Sequence, residues 1–251
     1  MRDRIMRLLF ILALLGVWEA LPRLGLVNAT LLTPASDVAK TLWELFASGA
    51  LLHHAWISLR RILFGLFVSV AVGMPLGVLL GSWRTFERTL DGPLQAGRQV
   101  SAIALFPVFM LLFGIGELSK VVIIFWASVW PILLNTTVGV KTVDPVLIRS
   151  ARSMSASGLT LLRKVVLPAA APAIFTGIRL GAAYAFMVLV AAEMIGANAG
   201  LGFLVLNSQE IFKIPEMYAA IVALASFGLG VNKLLYLIER RATSWREAVG
   251  G

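Results

Sequence analysis

The residues with the most chemistry to offer are ionisable ones set in or between long apolar runs. Stretch 144–168, DPVLIRSARSMSASGLTLLRKVVLP, is amphipathic and basic and separates two such runs. Its Arg149, Arg152, Arg163 and Lys164 are cationic donors suited to docking on another molecule; the plain alternative is a solvated loop whose arginines sit on one membrane face. Arg179 and Glu193 fall inside an apolar run, where a charge costs roughly 2.5 to 3.5 kcal/mol and so faces protein or a watery cavity. Arg179 can also snorkel toward an interface. His53 and His54 are the two histidines; adjacent positions point to different helix faces and no third ligand type stands nearby, so a metal site is not expected. The sequence has no Cys, which excludes disulfides and a catalytic thiol. It also lacks the H-E-x-x-H and G-x-S-x-G patterns and the phosphate loop G-x-x-x-x-G-K-[ST]. The chain is therefore not expected to be an enzyme or to bind ATP by that route.

The local pattern says how the basic stretch is held. Asp144 can cap a helix and Pro145 suits the first helical position, where a missing N–H costs nothing. Val146, Leu147, Ala151 and Met154 recur on one side, with Arg149, Arg152, Ser153 and Ser157 over the rest. The helix should stop near Gly158, where a sharp reversal is allowed. Thr160 would cap a second short helix over 161–166, which Pro168 would end.

Composition sets the solvent. At 59% hydrophobic and 14% charged residues, with a mean hydropathy of +0.89, the chain reads as an integral membrane protein. Its net charge of +9 flanks the apolar runs and lacks the stacking aromatics of a nucleic-acid groove, so no nucleic acid is expected. Runs at about 7–26, 62–82, 99–116, 121–140, 169–195 and 217–238 are read as six spans, each compared with the ~20 residues needed to cross ~30 Å of hydrocarbon. The core of the first, 8–18, is short enough to resemble a signal peptide, but Glu19 and Arg23 follow it instead of a small-residue cleavage site. Stretch 38–46 is amphipathic and is placed on the outer surface. In the second span Gly65, Ser69, Gly73, Gly77 and Gly81 recur every fourth residue, a stripe along which another helix can approach closely, and Pro75 implies a kink. Pro107 falls in the third span. Asn135, Thr136 and Thr137 are expected to bond across helices, and Gly177, Gly181 and Ala185 form a second small-residue stripe.

Six spans return both termini to one side. With the N-terminus inside, most of the 22 Lys and Arg fall on inner segments, among them Arg2, Arg4, Arg7, Arg84, Arg88, Arg98, Lys141, Arg240, Arg241, Arg246 and the basic stretch itself. The positive-inside rule then puts stretch 141–168 in the cytoplasm.

Stretch 144–168 resembles the cytoplasmic loop of binding-protein-dependent ABC transporter permeases, which reads Glu-Ala-Ala, three residues, Gly, nine residues, Ile, one residue, Leu-Pro. Ala151, Val165, Leu167 and Pro168 fall in register. Arg149 stands where the family has Glu, Ser150 where it has Ala, and Ser155 where it has Gly. Further stretches are similar to the nitrate, sulfonate, taurine and bicarbonate branch of these importers: Trp18 and Glu19; Phe106, Pro107, 113–117 and Lys120; Pro131, Asn135, Thr136 and Gly139; 192–196 with Gly200, Leu201 and Gly202; and Trp245. The likeness covers nearly the whole chain.

The resemblance implies an all-α integral membrane protein of six transmembrane helices with the type I ABC importer permease fold, a single domain over 1–251. It implies a permease subunit translocating a small anion delivered by a periplasmic or lipid-anchored binding protein. Two copies of a separate ATP-binding cassette subunit would hydrolyse ATP, and a second permease copy would complete a homodimer. The site would be the bacterial inner membrane, multi-pass, with both termini cytoplasmic; no cofactor is implied. Asp144, Arg149, Ser150, Ala151, Ser155, Gly158, Leu167 and Pro168 would couple to the ATPase. Phe106, Phe109, Glu193, Met194 and Asn198 would form the pathway and its outer gate, against the alternative that Glu193 only bonds neighbouring helices. The rival classes are a secondary transporter or channel working without ATP, for which no half-to-half repeat is evident, and a membrane scaffold.

Overall fold

The computed structural model describes residues 2–28 and 30–242, so Trp245 and Arg246 lie outside the described residues, as do the side chains of Arg2, Arg4 and Arg7. The described chain is helical: α1 (Arg2–Arg23), α2 (Ala35–Ala47), α3 (Ala50–Ser82), α4 (Arg84–Gln99), α5 (Ala102–Phe113), α6 (Glu117–Lys141), α7 (Pro145–Ser153), α8 (Gly158–Leu161), a π-helical turn (Leu162–Val166), α9 (Leu167–Gly196), α10 (Leu201–Glu210) and α11 (Ile214–Ala242). Contacts divide it into two compact units, Met1–Ser58 with Glu193–Phe227 and Leu59–Ala192 with Gly228–Gly251.

Among the described residues four helical stretches are long and apolar enough to cross a membrane: Ala50–Ser82, Glu117–Lys141, Gly158–Gly196 and Ile214–Arg241. The run read as a third span is divided. Helices α4 and α5 meet the same test only as a pair, bent by 92°. The 12 residues of α5 rise about 18 Å at 1.5 Å per residue, well short of ~30 Å of hydrocarbon.

The larger unit is built around α6. The α3 stripe lies against it so closely that a Cβ at Gly77 would stand 2.7 Å from the Leu133 carbonyl oxygen and 2.6 Å from the Thr136 Cβ. Ser69 Oγ lies 2.8 Å from Ser128 Oγ, and Thr137 Oγ1 donates to the Gly77 carbonyl at 3.2 Å. The second stripe packs on another side of α6: a Cβ at Gly177 would come within 3.0 Å of the Pro131 carbonyl, and one at Gly181 within 3.0 Å of the Ser128 carbonyl. Of the three polar residues expected to bond across helices, Thr137 does so. Asn135 donates within its own helix to the Pro131 carbonyl at 2.8 Å, and the buried Thr136 Oγ1 has no partner. Between them α3 and α9 cover α6, whose Ile123, Ile124, Ile132 and Leu133 are buried.

In the smaller unit α1 is fastened to the start of α2. Trp18 Nε1 donates to the Thr33 carbonyl at 3.1 Å, and the Glu19 carboxylate accepts from Ser36 N and Ser36 Oγ, both at 2.9 Å. Pro34, the residue at the α2 N-cap, makes no side-chain cap bond. Glu19 therefore takes over the cap from a distance, satisfying an end N–H and opposing the positive end of the helix dipole. The Tyr218 hydroxyl adds a bond to the Leu31 carbonyl at 3.0 Å.

Overpacking a full seam displaces backbone, whereas Gly230 of α11 has nothing within 4 Å of an added Cβ. Gly77→Val should lower stability by about 1–3 kcal/mol, and Gly230→Ala should be neutral or slightly stabilising. Thermal unfolding of the purified variants in detergent measures both.

Candidate functional site

The basic stretch folds into a helix, a reversal and a second helix. Asp144 caps α7, its Oδ1 accepting from Val146 N at 2.7 Å, and Pro145 occupies the first turn. The helix ends at Ser153 in a Schellman arrangement, with Ala156 N donating to the Ala151 carbonyl at 3.0 Å and Ser155 N to the Arg152 carbonyl at 2.9 Å. That geometry needs a left-handed residue after the helix, and Ser155 supplies it with φ +62°, a place usually taken by glycine. Gly158 is left-handed too, at φ +50°.

Two local expectations are corrected. The second helix starts after Ser157, which makes no side-chain cap bond, so Thr160 is not its cap. Nor does Pro168 end it, because α8, the π-helical turn and α9 run on through that proline. Proline lacks the N–H for an i→i−4 bond and crowds the preceding turn. The turn before it widens, Leu167 N bonding the Leu162 carbonyl five residues back, which makes room for the ring without breaking the helix.

The face that α7 turns inward carries Ile148 and the buried Ala151. Ile148 packs, with Leu161, Leu162 and Leu167, on a cluster of Val140, Val143, Val166, Ala170 and Ile174. The outward face holds Val146, Leu147 and Met154 with Arg149, Ser150, Arg152 and Ser155, all exposed, Met154 to 77%. Pro168 is exposed and Leu167 half-buried. Of the predicted coupling residues, then, Arg149, Ser150, Ser155 and Gly158 are presented outward, while Asp144, Ala151 and Leu167 set the geometry.

Glu193 is 0% exposed. Ser58 Oγ lies 2.8 and 2.9 Å from its two carboxylate oxygens, and Gly202 N donates to Oε2 at 2.9 Å. Leu201 N donates to Ser58 Oγ at 2.9 Å, and Gly200 N to His54 Nδ1 at 3.1 Å. Two N–H groups at the start of α10 thus meet a carboxylate and the hydroxyl bound to it, the arrangement expected where a helix N-terminus faces negative charge. Gly200, at φ +130°, has no room for a side chain because an added Cβ would collide with that carboxylate. Nearby, Met194 is half-buried and Asn198 exposed.

The predicted pathway aromatics both stand on α5. Phe106 is 1% exposed, in a cluster with Ile123, Val188 and Ala192. Phe109 is half-buried, its ring 6.4 Å from those of Phe113 and Trp126. Two ion pairs were missed by the sequence reading. Arg61, 4% exposed, makes a bidentate pair with Glu117 at 2.8 and 2.5 Å. Arg179 pairs with Glu239 at 2.7 Å and lies 5.7 Å from the Tyr236 ring centre. Pairs 56 and 60 residues apart carry no local signal; an unpaired charge in an apolar run is the only hint.

The chain is similar to proteins of known class. The model of the family described as "Binding-protein-dependent transport system inner membrane component" matches residues 73–244. The putative aliphatic sulfonates transport permease protein SsuC of Bacillus subtilis is 33% identical over 238 residues, 95% of this chain and 86% of that protein. The taurine transport system permease protein TauC of Escherichia coli is 35% identical over 241 residues, covering 94% and 88%. An inward-facing structure of the MetNI methionine ABC transporter shares the fold, with a TM-score of 0.66 at 21% identity over 76% of this chain and 94% of that one.

Ser155→Gly should raise stability by about 1 kcal/mol, because a left-handed conformation penalises a side chain. Gly200→Ala should destabilise far more than Glu193→Gln, which keeps the size of the group, removes its charge and exchanges one accepting oxygen for an amide donor. Thermal unfolding ranks the three variants.

Proposed function

The chain belongs to the binding-protein-dependent transport system inner membrane components, and we propose that it passes a small anion, of the sulfonate, taurine or nitrate kind, through a pore completed by a second copy of itself. As a member of that family it is the membrane permease of an ATP-driven importer, and hydrolysis resides on a separate subunit. Two copies of that ATPase, each gripping one α7, and a binding protein delivering the anion from outside complete the assembly. The excess of Lys and Arg around α7 and near both ends of the chain supports a cytoplasmic position for them in a bacterial cell.

One observation carries the coupling role: the outward face of α7 combines exposed Val146, Leu147 and Met154 with Arg149 and Arg152. Apolar side chains rimmed by charge outside the spans are the composition of a docking surface. The inward face is packed on the ends of α6 and α9, so a push on α7 reaches both. Arg149 in place of an acidic residue calls for a groove of altered charge on the partner, or for a second, different permease carrying the usual motif. The gate role of Glu193, Met194 and Asn198 is supported by their place in the last turn of α9 and the loop that follows it, with the Glu193 bonds as a latch, and Phe106 or Phe109 on α5 would line the route.

Uptake into vesicles containing the permease, its ATPase and the binding protein should require internal ATP. Arg149→Glu should lower the binding-protein-stimulated ATPase rate several-fold. Uptake by the chain alone, or better coupling in the Arg149→Glu variant, would overturn this reading.

A further inference from the structure

A trench of about 690 Å³ runs between the last turns of α3 and the elbow that leads from α7 into α9. Met74, Val78 and Leu79 form one wall, and Leu161, Leu162 and Leu167 the other. A second cavity, also of about 690 Å³, opens over the first turn of α4 and shares Ser82 and Trp83 with the trench. The two meet at Trp83, the single residue between α3 and α4, whose side chain is 62% exposed. Helix α3 is long and apolar enough to cross a membrane. From Ser82 back to Met74 the trench follows it for about 12 Å at 1.5 Å per residue, so it descends from the membrane surface toward the hydrocarbon. An exposed indole at its mouth stands where interfacial tryptophans belong.

The polar groups at this mouth are cations and hydroxyls. Arg152 lines the trench from the α7 side, and Arg84 lines the second cavity, with Ser82 and Thr85 beside them. Both arginines are exposed and have no acidic partner among the described residues, and no Asp or Glu lines either cavity. Glu87, the acid nearest to Arg84 in sequence, is paired with Lys141. An apolar trench entering the bilayer thus opens on positive charge that nothing in the fold neutralises.

We infer that the trench and its mouth hold an anionic phospholipid, with an acyl chain along α3 and the headgroup among Arg84, Arg152 and the two hydroxyls. Basic pockets between membrane helices are a recurrent headgroup site, and guanidinium groups bind phosphate through charge-assisted, often bidentate hydrogen bonds. A zwitterionic lipid would bring an ammonium group to a mouth that offers it no carboxylate. Free phosphate would meet the arginines and leave the apolar walls unfilled, whereas an acyl chain buries methylene groups against them. A protein segment in the same place would carry main-chain polar groups below the interface with no partners there. So seated, the lipid touches α3 on one side and the elbow on the other, and braces one against the other. Such a site needs α3 to cross the membrane and holds whether or not α7 couples to the ATPase.

The test uses the delipidated permease–ATPase complex in detergent micelles, with bound lipid counted by native mass spectrometry. Dioleoylphosphatidylglycerol should bind saturably and several-fold more tightly than dioleoylphosphatidylcholine. Equimolar glycerol 3-phosphate, which has the phosphate and no chains, should not displace it. Combining Arg84→Gln with Arg152→Gln should weaken binding by about tenfold or more, as expected for loss of charged hydrogen bonds, with the melting temperature of the lipid-free complex unchanged. Combining Arg98→Gln with Arg240→Gln removes the same charge from residues that line neither cavity and should leave binding as it was. Equal affinity for the two lipids, displacement by glycerol 3-phosphate, or the same affinity in the two double variants would overturn the site.

Discussion

The architecture of the larger unit depends on how near three helix backbones can come to one another. Water drives apolar helices together in a soluble protein, but lipid tails are as apolar as leucine, so association in a membrane relies on close van der Waals contact and on interhelical hydrogen bonds. Helix α6 obtains both. The glycine stripe of α3 brings main chain to within contact of the carbonyls of Val129, Leu133 and Thr137, and that of α9 does the same at Ser128 and Pro131. Ser69, Ser128 and Thr137 add their bonds in the same seam. A block assembled this way resists shear, because sliding either neighbour by one residue would put a side chain where only a hydrogen fits. Helix α7 is attached to that block by its inward face, through Ile148 on Val140, Val143, Val166 and Ala170, so its outward face is carried on something stiff.

Ionisable groups follow the same economy of partners. Arg61, Arg179 and Glu193 lie in helices apolar enough to cross a membrane, and each has a counter-charge, a hydroxyl or a helix end within hydrogen-bond distance. Taking a charge out of water is tolerable only under those conditions. Arg98 is exposed at the end of α4, so the condition does not bear on it.

Some of this was legible from residue order. A four-residue spacing of glycines fixes a close-packing face whatever the partner, and Asp-Pro before an amphipathic run fixes a helix start; both are local. The long apolar runs of α3, α6, α9 and α11 announce themselves by length. What residue order hid was non-local or depended on two rules in conflict. Residues 99–116 carry no charge and only Gln99 and Ser101 as polar side chains, too weak a signal for hydropathy to register the turn at Val100 and Ser101 that divides α4 from α5. Pro168 reads as a stop, yet a five-residue turn ahead of it absorbs the ring. Helix α10 is ten residues of ordinary composition between two irregular turns, too short to show a periodic face. Ser58 and Glu193 are 135 positions apart, and nothing at either end names the other.

The three departures from the family loop motif differ in physical kind. At Ser155 the main chain occupies the left-handed region, φ +62°, at the position after α7 where both closing hydrogen bonds converge. A glycine in the motif is explained by that geometry alone, and serine at this place keeps the turn at an energetic cost internal to the chain. At Ser150 a small residue replaces a small residue on an exposed face, so shape is preserved. Arg149 is exposed and its side chain closes no bond with the rest of the fold among the described residues, so the glutamate of the motif answers to nothing inside the permease. On the coupling role proposed for α7, it answers to what docks there. The serine and the arginine can therefore be separated by where their effects are felt: one in the stability of the isolated chain, the other in the charge of the surface that meets it.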